Sequence, residues 1–306
     1  MRNHRYGTSL FSALALVAFS AAAQPVDVLK KIRDSGTITM GVREASGAMS
    51  YALGGGDYTG FHVDVCKKVI ADLQKQLGLP KLEVRYQLVT AQNRIPLVQN
   101  GTVDLECGTT TNSTARQKDV AFAPTVYVEE VKVATKTRSG ITGLAQLANK
   151  TVAATSGATA VQLIRKHERA AGIDFKEVFG KDNSDGFLLL EGDRADAFVA
   201  DGQILATMIS LSKQPGAYVV LKDVLSVEPI AIMMPKGDAA FKRSVDASVV
   251  AMAKSGEIAR LYDKWFVQPI PPNNVRVGLP ASEFTKASWT ELSDKPVEAY
   301  MSNAAR

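Results

Sequence analysis

Two spacings of apolar residues take turns along this chain. Residues 37–42 (TITMGV) form a short β-branched run that predicts a strand. Residues 61–77 put Val65, Val69 and Leu73 at four-residue steps, one face of an amphipathic helix. A strand at 82–89, a short helix at 95–100 closed by Gly101, and a strand at 103–107 follow. The order β-α-β-α-β predicts an α/β sheet with crossover helices.

A second run of the same kind begins at residue 151. Strands are predicted at 151–154, 177–179, 195–200 and 217–221, with helices at 159–171, from 185 onward, and at 203–212. Two extended stretches, 125–135 (TVYVEEVKVAT) and 227–234, flank it. They read as strands crossing between two lobes, with the second lobe inserted into the first. Helices return at 239–255 and 256–265, and the chain from 268 is Pro-rich, then polar, as expected of a surface wrap. The expected organisation is lobe one over 24–127 and 230–270, lobe two over 128–229, and a tail over 271–306. The fold class is α/β, two lobes joined by two crossing strands.

The first 23 residues differ from the rest. Arg2 and Arg5 precede an apolar run at 9–19, and Ala21, Ala22 and Ala23 end it. This is the three-part pattern of a secretory signal, too short in its apolar part for a membrane span. Its removal takes away two Arg and no acid, so the net charge of +5 falls to +3. With 46% hydrophobic and 22% charged residues and a mean hydropathy of −0.02, the remainder reads as globular. Lys and Arg are scattered without interleaved aromatics, which disfavours nucleic acid. Cys66 and Cys107 are the only cysteines; they are candidates for a pair in an oxidising compartment, or for two small buried side chains. Their spacing matches no metal site, and no cofactor is expected.

Ligands of α/β sheets sit beyond the carboxyl ends of strands, so the residues there are the candidates. Arg43 follows the first strand and Arg94 the second. Thr109, Thr111 and Arg116 follow the third. Thr159 opens a helix in lobe two, and Asp201 ends a strand there. Guanidiniums and hydroxyl-rich helix starts receive anions, and a lone acid takes an ammonium. An amino acid fits this set. Plainer roles exist for each: solvated arginines, helix caps at the Thr positions, and a cap at Asp201. His62 and His167 lie in helices among charged neighbours and are expected to be solvated. With no His in the cleft, little pH dependence is expected. Gly54-Gly55-Gly56 lacks the spacing and Lys of a phosphate loop.

The sequence resembles the extracellular solute-binding proteins of polar amino-acid ABC importers, in particular the glutamate/aspartate-binding subgroup. The general marks are GFHVDV at 60–65, VDL at 103–105, STARQ at 113–117, TSG at 155–157 and DKWF at 263–266. The narrower marks are QNRIPLVQNG at 92–101, ECGTTTN at 106–112 and WFVQPIPPNN at 265–274. The resemblance implies that Arg116, Thr109 and Thr111 hold an α-carboxylate. Asp201, helped by Thr159, would take the ammonium, and Arg43 and Arg94 the side-chain carboxylate. Ala91 and Asn183 depart from the subgroup, standing where a Ser and a His would also serve the distal carboxylate.

The expectation is therefore a monomeric periplasmic receptor that closes on an amino acid, acidic by preference, and hands it to the membrane subunits of an ABC importer. The rivals are a neutral polar amino-acid binder, a small-carboxylate dehydratase on the same fold, and a sensor domain. An enzyme would need a general acid or base in the cleft, and only Asp201, Asp185 and Glu44 offer one.

Overall fold

The computed structural model describes residues 27–304; the expected signal segment lies outside them. Helix α1 (Val28–Ser35) leads into β1 (Thr37–Val42). A small sheet of β2 (Ala45–Ser46), β3 (Ser50–Gly54) and β4 (Asp57–Thr59) follows. Next come α2 (Phe61–Gln76), β5 (Glu83–Leu88), α3 (Arg94–Gln99), β6 (Leu105–Glu106) and β7 (Val120–Phe122). The second region holds β8 (Tyr127–Lys136), β9 (Thr151–Thr155), α4 (Thr159–Ala171), β10 (Lys176–Gly180), α5 (Asn183–Glu191), β11 (Ala197–Asp201), α6 (Gly202–Leu211), β12 (Tyr218–Val220) and β13 (Ser226–Ile230). The chain then forms β14 (Met233–Pro235), α7 (Ala239–Lys254), α8 (Glu257–Tyr262), β15 (Pro269–Ile270), β16 (Val275–Arg276), α9 (Glu283–Glu291) and α10 (Val297–Ala304).

Two main sheets result. The first runs β5-β1-β6-β14-β7, with β1 parallel to β5 and β6, and β14 antiparallel to its neighbours. The second runs β10-β9-β11-β8-β12, and β13 pairs antiparallel with the first half of β8. The first lobe packs α2, α7 and α8 on its sheet around Val65, Val69, Leu73, Phe241, Val249 and Trp265. The second lobe buries Ile164 and Val152 on one face of its sheet and Phe198, Phe187 and Leu205 on the other. Strands β8 and β13 form the connection between the lobes, the two-lobed architecture expected.

Burial along α2 follows its four-residue steps: Val65, Val69 and Leu73 are all at or below 1% exposure. The sequence marks at either end of lobe one meet in space. Asp64, in the first turn of α2, accepts from Trp265 Nε1 at 2.9 Å and from Lys264 Nζ at 2.6 Å. Cys66 of α2 is bonded to Cys107, just past β6, and both are fully buried. This disulfide fixes the base of the loop that carries Thr109 and Thr111.

Two local expectations are corrected. The tail is no mere surface wrap: Thr285 and Ser288 of α9 are buried, and Trp289 stacks edge-on to Tyr262. Trp289 Nε1 donates to the Val126 carbonyl at 2.8 Å, so the tail braces the first crossing strand. His62 is not solvated. It is fully buried, with Nδ1 donating to the Gly108 carbonyl at 2.6 Å, and burial lowers its pKa. Among the described residues, no helix is long and apolar enough to cross a membrane.

Candidate ligand-binding site

The cleft lies between the carboxyl ends of the two sheets, and the lobes are closed on one another. Asn183 Nδ2 of lobe two donates to the Ala45 carbonyl of lobe one at 2.9 Å. Gln203 Nε2 reaches the Ser46 carbonyl at 3.3 Å, and Arg43 Nη2 lies 3.3 Å from Asp182 Oδ1. Gly157 shows how close the approach is. Its φ is +79°, and a Cβ there would sit 2.9 Å from the Gln92 nitrogen and 3.0 Å from the Ala91 carbonyl carbon. Only glycine accommodates both demands.

With the lobes shut, the cavity left in the cleft is only about 20 Å³, well below the roughly 300–1,000 Å³ of open small-molecule sites. Its lining includes Arg43, Arg94, Thr109, Thr111, Thr159, Asn183 and Asp201, seven of the eight candidate residues, together with Ala91 and Thr155. Arg43 immediately follows β1. Arg94 is the first residue of α3, whose entry is held by a reciprocal pair: Thr90 N donates to Asn93 Oδ1, and Asn93 N to Thr90 Oγ1. Thr159 opens α4, and Asp201 precedes α6 without capping any of its N–H groups, so the helix-cap role is not taken.

The eighth candidate, Arg116, stands one step back. Its Nη1 donates to the Thr111 carbonyl at 2.9 Å, and burial lowers its pKa. Asn183 lines the pocket, but its amide is already used. Oδ1 accepts from Thr155 Oγ1 at 2.7 Å while Nδ2 reaches Ala45 across the cleft. Ala91 contributes no polar group.

The electrostatics of the cleft ask for an anion beside its arginines. Arg94 is 2% exposed, and neither its Nε nor its Nη1 has a partner among the described residues. Burial, with the positive charges of Arg116 and Arg43 behind it, pulls its pKa down to about 9. Arg43 Nε is likewise buried and unpartnered. Guanidiniums in such a place are poorly compensated until a carboxylate arrives. In the same pocket, burial pushes the Asp201 carboxyl up to about 7, with the charge of Glu228 adding to the effect.

Three buried acids around the cleft escaped the sequence reading. Glu106 accepts from Thr110 Oγ1 at 2.6 Å. Glu129 and Glu228 face each other in register on the two crossing strands. Burial and the nearby Asp201 raise the pKa of Glu129 far above the carboxylate range. Glu106 sits in the string ECGTTTN, which was singled out for its threonines. Glu129 and Glu228 lie within the two extended stretches, and nothing local to a strand reveals which of its acids will be buried.

A two-lobed α/β clamp around a small, charged, closed pocket is the architecture of a solute receptor, and the relatives named below are solute-binding proteins. The chain belongs to the bacterial extracellular solute-binding proteins, family 3, whose model matches residues 38–268. It is 39% identical to the L-glutamate/L-aspartate-binding protein of Pseudomonas aeruginosa, over 96% of this chain and 99% of that protein. It is 36% identical to the glutamate/aspartate import solute-binding protein of Escherichia coli K12, over 92% and 95%. Among solved structures it resembles the solute receptor for L-cysteine of Neisseria gonorrhoeae. That match has a TM-score of 0.68 and 27% identity, covering 78% of this chain and 92% of that one.

Proposed function

We propose that the protein is a periplasmic receptor for an acidic amino acid, glutamate or aspartate, which it presents in closed form to the membrane subunits of an ABC importer. The observation that carries this reading is the buried Arg94 guanidinium, with Nε and Nη1 unpartnered among the described residues, and Arg43 and the Asp201 carboxylate lining the same pocket. Carboxylate and ammonium thus each meet their opposite charge. The names of the relatives from Pseudomonas aeruginosa and Escherichia coli point the same way. In this proposal the chain acts as a monomer after loss of residues 1–23. Lobe one spans 24–127 and 230–270, lobe two 128–229, and the tail 271–306. Closure follows from ligand contacts made by both lobes.

Calorimetry with Glu, Asp, Gln and Asn tests the ligand. The acid should bind at least about tenfold tighter than its amide, a gap of about 1.4 kcal/mol. Arg94→Gln should erase most of that gap, because the acid then has one fewer cation to meet. A neutral amino acid is the second reading, favoured by Ala91, which lines the pocket without a hydrogen-bonding side chain. An amide that outcompetes its acid would establish it.

A further inference from the structure

The two arginines assigned to a ligand's side chain differ in what already meets them. Arg94 Nε and Nη1 have no partner among the described residues. Arg43 carries a protein anion: its Nη2 lies 3.3 Å from Asp182 Oδ1, across the cleft. Both guanidiniums line the pocket, and Asp182 is not among the lining residues.

Each member of this pair is placed by its own lobe. The Arg43 backbone N–H donates to Ser50 Oγ at 3.0 Å, and the side-chain stem lies on Gly108, where a Cβ would come within 2.8 Å of Arg43 Cγ. Asp182 caps α5, its Oδ1 accepting from Asn183 N at 2.5 Å. The turn before it has no slack, because a Cβ on Gly180 would collide with the Gly186 nitrogen and the Asp182 carbonyl. Arg43 therefore does not need Asp182 to hold its position. What Asp182 brings to it when the lobes meet is a negative charge.

That charge acts differently on two kinds of ligand. A guanidinium has five N–H donors but a single charge. A ligand carboxylate that meets Arg43 shares this charge with Asp182 and is repelled by it; a carboxamide, being neutral, is spared the repulsion. With a carboxamide in the cleft, Asp182 is also the anion that keeps the enclosed Arg43 compensated. Solvent screens the pair little, since the two side chains are 2% and 14% exposed. We propose that Asp182 determines specificity: it is an internal anion that neutralises Arg43 when the ligand's side chain brings no charge, and so limits the preference for an acidic amino acid over its amide. Arg94 then carries the larger share of acid recognition.

This inference rests on the reading of the ligand as an acidic amino acid. Its test is calorimetry of glutamate and glutamine on wild type, Asp182→Asn and Asp182→Ser, weak binding being read by competition. Aspartate and asparagine replace them if the shorter acid binds better. Asn and Ser both keep a helix-capping oxygen and remove the charge, so two variants guard against a local defect in one. Each should raise the preference for glutamate over glutamine by about tenfold or more, chiefly through weaker glutamine. If Asp182 only capped α5 or latched the lobes, both ligands would weaken together and their ratio would stay as in wild type. That result, or a fall in the ratio, would overturn the inference. A wild type that binds neither glutamate nor aspartate would instead remove the functional reading, and the inference with it.

Discussion

Asn183, the first residue of α5, donates its side-chain amide across the cleft to the backbone carbonyl of Ala45 at 2.9 Å. The bond exists only in the closed state, and Thr155 fixes the amide's orientation by donating to its oxygen. A residue placed by resemblance among the ligand contacts thus works as a clasp between lobes.

Its removal should speed opening. Asn183→Ala deletes the cross-lobe bonds to the Ala45 carbonyl and the Ser46 hydroxyl, and the bond from Thr155 within lobe two; with a neutral hydrogen bond worth about 1 kcal/mol net, affinity should fall about fivefold or more. The change should appear in the dissociation rate, since the encounter with the open cleft does not involve the clasp. Stopped-flow fluorescence separates the two rates. An unchanged dissociation rate would mean that the amide contributes nothing to closure.

Binding should depend on pH despite the lack of a histidine in the cleft. Asp201 has its pKa raised to about 7, chiefly by burial and then by Glu228. Below that pH the carboxyl is neutral and offers an ammonium no charge; above it the charge is present. Affinity for an amino acid should therefore fall as pH is lowered through about 7, and be about tenfold weaker at pH 6 than at pH 8. A dicarboxylate without an amine should show no such loss. Calorimetry in two buffers of different ionisation enthalpy should detect proton release on binding near pH 6.5. A flat profile from pH 6 to 8 would place the Asp201 titration elsewhere and restore the expectation drawn from sequence.

The Cys66–Cys107 bond closes a loop between residues 41 positions apart. Restricting the unfolded chain over such a loop stabilises the native state by about 4 kcal/mol in the chain-entropy model. Replacing both cysteines with Ala should lower the unfolding free energy by about 2–4 kcal/mol, read from denaturant midpoints. The loop that begins at Gly108 starts beside this bond, so ligand affinity should fall as well. An unchanged midpoint would show that packing alone holds α2 to β6.

The tail should matter for binding, although the family match ends at residue 268. Asn112, next to Thr111, donates to the Asp294 carbonyl at 2.8 Å, and its own carbonyl accepts from Val297 N at 2.9 Å. Thr285 Oγ1 both accepts from Val128 N and donates to the Val128 carbonyl. Deleting residues 282–306 strips partners from a crossing strand and from the Thr111 loop, each lost partner costing about 1–3 kcal/mol where burial persists. Melting temperature and glutamate affinity should both drop, the latter by about tenfold or more. Full affinity in the shortened protein would show that the loop holds its shape unaided.

Much of the fold could be read from local pattern. The four-residue steps of 61–77 became α2, and the β-branched run at 37–42 became β1 without a shift of boundary. Other predicted edges moved. The strand expected at 103–107 is two residues long, and just before it the Asp104 carboxylate accepts from the Thr39 N–H. The helix expected from 185 begins at Asn183 because Asp182 caps it. His62 was misjudged because charged neighbours in sequence do not say which helix face meets the loop at Gly108.

By itself, the sequence determined the alternation of strands and helices, the two crossings, and the set of residues at strand ends. These follow from backbone periodicity and from which side chains must leave water, both of which act over a few residues. Only the tertiary structure decided which cations lack partners, that Cys66 and Cys107 join, and that Thr111 and Thr159 share one oxygen of Glu228. Those partners lie 117 and 69 positions from the glutamate. A hydrogen bond is formed or lost over a few tenths of an ångström, so its existence depends on how two separately folded lobes meet, which no local pattern encodes.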